Sequence, residues 1–291
     1  MDTNTVSPFI AALPKVELHL HLVGSAAPET VLELARRHPD AGVPTELDEL
    51  IQFYEFVDFP HFIKNYERVD SMVRVPEDIG SLVLGLARDA AASNVRYAEV
   101  TVTAAMHLAK GIAPQELADA LTASRAAAAE RYGVALNWIF DIPAGFGQQV
   151  VDDTVRFAVE HRPPGTVALG LAGLEKGFPR ADYRGEFDVA REAGLHAVVH
   201  AGETTGPDEV WSAIRELGAE RIGHGIPVTL STDDPGMFHT DLNREYAVAA
   251  ELGLTDADLA ELARNGVRAA YCDDDLRARL LAEIDLAIRK S

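Results

Sequence analysis

A chain of 291 residues carrying 46 acidic against 26 basic side chains has a formal net charge of −20, which excludes the Lys- and Arg-lined groove that a nucleic-acid partner demands. At 47% apolar and 25% charged it has the make-up of a globular protein in water, and no apolar run nears the roughly 18 residues of a membrane span. One cysteine, Cys272 in an acidic YCDDD setting, excludes an internal disulfide framework and fits a reducing cytoplasm.

The N-terminal stretch MDTNTVSPFIAALPK lacks a basic region followed by an apolar one, so no signal peptide is expected. The first predicted strand is VELHLHL (16–22), near-continuously apolar until its end. A helical region follows over about 28–93, opening with PETVLELARRH (28–38) and closing with PEDIGSLVLGLARDAAASN (76–94). Between these lies the aromatic-rich FYEFVDFPHFIKNYERV, which is either packed core or a cap over a site. The strands VRYAEVTV (95–102) and ALNWIFDI (135–142) flank the helix PQELADALTASRAAAAERYG (114–133). TVALGLAG (166–173) and LHAVVHAGE (195–203) come next, then the helix GPDEVWSAIRELGAE (206–220), RIGHG (221–225) and PVTLSTDD (227–234). Several helices carry Pro at or near the first position, where its missing N–H costs nothing.

Strands alternating with helices predict βα units and a parallel sheet in one domain spanning 1–291. No G-x-G-x-x-G or Walker pattern follows any strand, which argues against an open dinucleotide-binding sheet. The expected architecture is an α/β barrel of the (β/α)8 TIM type, because the chemistry-bearing residues fall at the C-terminal ends of several strands.

His19 and His21 are two residues apart on the first strand and therefore share a face, where both imidazoles can reach one Zn-class ion. His200 and Asp233 end two further strands and add a third nitrogen and an oxygen, leaving an open position for water. The bland alternative is a set of satisfied core polar groups, with Asp234 capping a helix ahead of Pro235. Glu203, three residues beyond His200, is placed to pass a proton from water to a leaving group. His224, between two glycines, is placed to stabilise the attacking water species. Metal, base and water together make a hydrolase.

These motifs as a set resemble the adenosine deaminase family of the amidohydrolase superfamily. The pieces that carry the resemblance are PKVELHLHLVGS (14–25), LGLAGLE (169–175), HAGE (200–203), ERIGHG (220–225), VTLSTDDPGMF (228–238) and LARNGVRAAY (262–271). The resemblance implies a barrel holding one Zn²⁺ per chain by His19, His21, His200 and Asp233. It implies that Glu203 protonates the purine at N1, that His224 orients the water, that Asp234 contacts N7 and the backbone of Gly173 contacts N3. The implied reaction is water attack at C6 of a 6-aminopurine nucleoside, with loss of ammonia. Family members acting on adenosine usually carry Asp where this chain has Val23, and often LAGDE where it has LAGLE with Leu174. An apolar side chain accepts no hydrogen bond from a sugar hydroxyl, so adenosine loses an anchor. The wording HLVGS and LGLAG is similar to the branch that deaminates 6-amino-6-deoxyfutalosine in menaquinone biosynthesis. A catalytically impaired purine-nucleoside-binding protein on the same scaffold is the alternative.

One departure is geometric. The family places a helix, a strand and another helix between GHG and STDDP, whereas here GHGI runs straight into PVTLSTDDP, with the break between Ile226 and Pro227. A five-residue strand is about 17 Å long, so descending and rising again takes roughly 34 Å, while nine extended residue steps reach only about 30–32 Å. Three outcomes follow: RIGHG becomes a loop, or the Asp pair is misplaced, or a stretch of about one βαβ unit (~30 residues or more) is absent. The last is preferred, giving seven strands or an imperfectly closed barrel.

Overall fold

Lys15–His21 forms the first strand, β1, buried along most of its length. The computed structural model describes residues 6–224 and 229–289. Five more strands follow: β2 (Val95–Val102), β3 (Ala135–Ala144), β4 (Thr166–Gly173), β5 (His196–His200) and β6 (Arg221–Gly223). They form one sheet in chain order, β1-β2-β3-β4-β5-β6. That order, with helices between successive strands, is the signature of repeated βα units.

Among the described residues the strands number six, not seven. The described part of PVTLSTDD, 229–234, forms no strand and contributes one isolated parallel bridge, Leu20↔Asp233. What replaces a ladder there is a set of side-chain bonds along β1. Leu18 N–H donates to Ser231 Oγ at 3.4 Å, and Thr232 donates to Glu17 through its N–H (3.3 Å) and its hydroxyl (3.0 Å). Of the three outcomes open from the sequence, neither a looped RIGHG nor a stray Asp pair is seen: Arg221–Gly223 pairs with β5 and Asp233 lies beside β1, which leaves the preferred one, an absent stretch. The break at Ile226–Pro227, and Gly225 with it, lies outside the described residues.

The chain divides into two compact units whose boundaries run through β2 and β3. The first comprises 1–100, 123–136 and 229–291. It contains β1 and the helices Pro28–Arg37, Leu47–Phe53, Phe59–Asp70 and Pro76–Ala92, with no strand described between 28 and 93, as the sequence predicts. Its core includes Val31, Leu34, Leu50, Leu82 and Val83, all fully buried. The helix Asp256–Ala269 packs on β1 at Gly266, where an added Cβ would lie 2.6 Å from Val16 Cγ2. This is why glycine stands within LARNG. Lys15 is fully buried and donates its ammonium protons to the carbonyls of Ile10, Leu13 and Ser93 at 2.6–3.1 Å.

The second unit comprises 101–122 and 137–228. Its strands pair in parallel with Phe140 opposite Leu169, Leu171 opposite Val199, and His200 opposite Gly223. Phe140 and Phe157 meet edge to face at 5.0 Å in its core, the arrangement ring quadrupoles favour. Strand boundaries differ from expectation mainly at β5, which ends at His200, so Glu203 belongs to the following loop. No described helix is long and apolar enough to cross a membrane.

Candidate active site

In the first unit, β1 ends on His19 and His21, whose rings stand edge to face 5.5 Å apart. Asp233 is locked to the same two residues through the backbone. Its N–H donates to His19 O (3.1 Å), and its carbonyl accepts from His21 N–H (3.0 Å). The carboxylate thereby lies between the imidazoles, with Oδ1 3.4 Å from His19 Nε2 and 3.2 Å from His21 Nε2. Burial raises the Asp233 carboxyl pKa, but hydrogen bonds from His19 and His21 outweigh it and hold the group well below the usual carboxylate range. Two imidazole nitrogens and one carboxylate oxygen converging at these distances are the donor set that a Zn-class ion takes, so these residues fit a metal.

Asp234 is buried at the start of the short helix Pro235–Phe238, without a side-chain capping bond there. The cap explanation for it is therefore not realised. Its carboxylate lies against Gly24, where an added Cβ would meet Oδ1 at 1.5 Å. Val23 is buried, with 4% exposure. The aromatic stretch packs against the chain just beyond: Tyr54 meets His239 at 5.8 Å and Phe62 meets Phe238 at 5.3 Å. Tyr54 and Phe62 are buried while Phe53, Phe56 and Tyr66 are half-buried, and what the stretch packs on is the continuation of the STDDP segment.

In the second unit, the β5–β6 register places His224 one residue past the level of His200, and their rings lie 5.4 Å apart. His200 Nδ1 is 3.1 Å from Leu171 O. That contact orients the ring and leaves Nε2 as the atom for a ligand. Glu203 Oε2 lies 3.7 Å from His224 Nε2, both side chains being part-exposed. Gly173 ends β4 with φ +77°, and a Cβ there would come within 2.8 Å of Ala144 O. Only glycine permits that approach.

Two residues escape the sequence reading. Glu175, 1% exposed, and Arg180, fully buried, lie beneath the loop that carries Glu203. Glu175 stands in the LAGLE motif, which was a signal; Arg180 in GFPRAD offered none.

The adenosine deaminase family profile matches residues 14–228 and 225–287. The chain belongs to the adenosine deaminase family. An aminodeoxyfutalosine deaminase of Streptomyces coelicolor is 43% identical over 328 positions, covering 95% of this chain and 85% of that protein. An adenine deaminase of Chelativorans sp. (strain BNC1) is 30% identical over 324 positions, covering 94% and 98%. Among solved structures, an amidohydrolase from Burkhoderia ambifaria with bound Zn superposes with a TM-score of 0.85 at 22% identity, covering 99% of this chain and 96% of that one. The chain is thus a hydrolytic deaminase of this family.

The comparison also locates the shortening. The alignment with the Streptomyces protein runs to 328 positions, and 95% of 291 residues is about 276, so about 52 positions have no residue here. The two family matches meet at 225–228, where the sequence places the absent stretch.

Proposed function

We propose that this deaminase removes the exocyclic amine of a 6-aminopurine nucleoside, 6-amino-6-deoxyfutalosine in preference to adenosine, with one zinc ion per chain. The observation that carries this reading is the convergence of His19 Nε2 and His21 Nε2 on Asp233 Oδ1 at 3.4 and 3.2 Å. The 43% identity to an aminodeoxyfutalosine deaminase supports the choice of substrate. His19, His21, His200 and Asp233 would hold the zinc, which supplies a nucleophile at neutral pH by lowering the pKa of water. His224 orients that water. Glu203 moves a proton from the water to purine N1 as the hydroxyl adds at C6; the hydroxyl proton then passes to N6, the C6–N6 bond breaks, ammonia leaves, and a 6-oxopurine remains. Asp234 and the Gly173 backbone hold N7 and N3. Val23 and Leu174 offer a ribose hydroxyl no acceptor, which disfavours adenosine. A cytoplasmic location accords with the single cysteine.

The about 52 missing alignment positions favour one second reading, a nucleoside-binding protein that has lost turnover. Elemental analysis and ammonia release from both nucleosides separate the two. One zinc per chain with turnover of the futalosine compound, and little of adenosine, is the expected result. A folded protein that binds the nucleoside without zinc or ammonia release would establish the second reading and overturn the first.

A further inference from the structure

Glu203 sits on the six-residue connection 201–206 between β5 and the helix Pro207–Glu216. Glu203 and Thr204 are exposed, and a short surface loop of this kind has no ladder to fix it. Here three of its backbone N–H groups converge on one buried carboxylate. Gly202 N–H reaches Glu175 Oε1 at 2.6 Å, and Thr204 and Thr205 N–H reach Oε2 at 2.6 and 3.0 Å. The Thr204 hydroxyl adds a fourth bond at 3.0 Å. The N–H groups on either side of Glu203 therefore end on the same side chain.

Arg180 ties this carboxylate to the strands. Its Nη2 is 3.8 Å from Glu175 Oε1, its Nε donates to His200 O at 2.9 Å, and its Nη1 donates to Leu174 O at 3.0 Å. Its own N–H donates to Glu209 Oε2 at 2.8 Å, on the helix beyond the loop. Gly202 is at φ +85°, with room for no Cβ against Val210, so the loop conformation that brings these N–H groups to Glu175 requires glycine there.

We propose that Glu175, braced by Arg180, is the positioning residue that latches the loop and holds Glu203 at its proton-transfer site. Its consequence for turnover rests on the reading of Glu203 given above; its consequence for loop order does not. Proton transfer requires hydrogen-bond reach, and an error of about 1 Å in such a group costs on the order of 10²-fold in rate. Glutamine at 175 keeps the shape but turns an N–H₂ toward backbone donors.

The test uses the full-length, zinc-loaded protein. For Glu175→Gln, amide exchange at Gly202, Thr204 and Thr205 is expected to speed up at least ten-fold. Exchange in β4 and β5 is expected to stay as in wild type. In the active protein kcat falls on the order of 10–100-fold, while KM stays within about three-fold and zinc content is unchanged. Thr204→Val, which removes one hydroxyl donor at an exposed position, gives a smaller loss in the same direction and serves if Glu175→Gln does not fold. Unchanged exchange in the loop overturns the latch. Faster loop exchange with unchanged kcat overturns the positioning role. An inactive wild type sinks the proposed function, while the exchange result still decides the latch.

Discussion

Asp233 and His224 both adopt left-handed backbone, at φ +63° and +65°, and both are residues the motifs single out. Such a conformation costs an L-residue roughly 1–2 kcal/mol, so it persists only where the surroundings insist on it. At Asp233 the insistence is visible in its two backbone bonds to His19 and His21. Its neighbour Asp234 is fixed differently, by a carboxylate pressed against the bare Cα of Gly24. Gly24→Ala puts a methyl group where Asp234 Oδ1 now lies, and the carboxylate has to move. The expected cost is about 1–3 kcal/mol, read as a lower urea midpoint at constant m, with weaker nucleoside binding. An unchanged midpoint would show that Asp234 relocates freely and has no fixed role.

At the scale of elements, the long helices and all six described strands were legible, the strands from their apolar β-branched runs and the helices from their hydrophobic periods and N-terminal prolines. Pro28–Arg37, Pro76–Ala92 and Pro114–Tyr132 begin at the residues the sequence indicates. PVTLSTDD misled because its β-branched run satisfies every local rule for a strand. What the rule omits is the chain needed to bring a strand into place, and the segment keeps only a one-residue bridge. That His19 and His21 stand together was legible from their two-residue spacing. Arg180 and Lys15 were not legible, since their partners are largely backbone carbonyls that no pattern of side chains encodes; for Glu175 the LAGLE motif marks the residue but not the backbone N–H groups it takes. Side chains doing the work of a ladder can be tested directly. Thr232 makes two bonds to Glu17, whose carboxyl burial pushes up to about 8. Thr232→Val keeps the shape and deletes the hydroxyl, leaving a buried carboxyl short of a partner. A loss of about 1–3 kcal/mol in stability is expected, and at the proposed metal site metal affinity is reduced on the order of 10-fold as Asp233 loosens. Full retention of both in denaturation and metal titration would mean that the single Asp233 bridge suffices.

For the whole molecule, the decisive feature is the shortening where the two family matches meet at 225–228, in a chain that leaves about 52 positions of its alignment with the Streptomyces protein unfilled. Its absence leaves marks in the described structure. β6 is three residues long and stands last in the sheet order, an edge that its shortness protects from pairing with other chains. The helix Pro207–Glu216 leaves Trp211 52% and Ile214 40% exposed on one face, separated by three residues and so adjacent on the helix. A βα unit following β6 would pair that edge and give such a helix face a neighbour. Inserting the corresponding Streptomyces segment between Ile226 and Pro227 should therefore stabilise the protein. Burying the exposed halves of two large apolar side chains contributes roughly 2 kcal/mol, and at about 2–4 °C per kcal/mol this raises Tm by on the order of 5 °C. Trp211 fluorescence should shift to the blue in the same variant, because its indole leaves water. A Tm equal to or below that of the present chain, with Trp211 emission unmoved, would show that the shortened protein has already settled into a complete fold of its own.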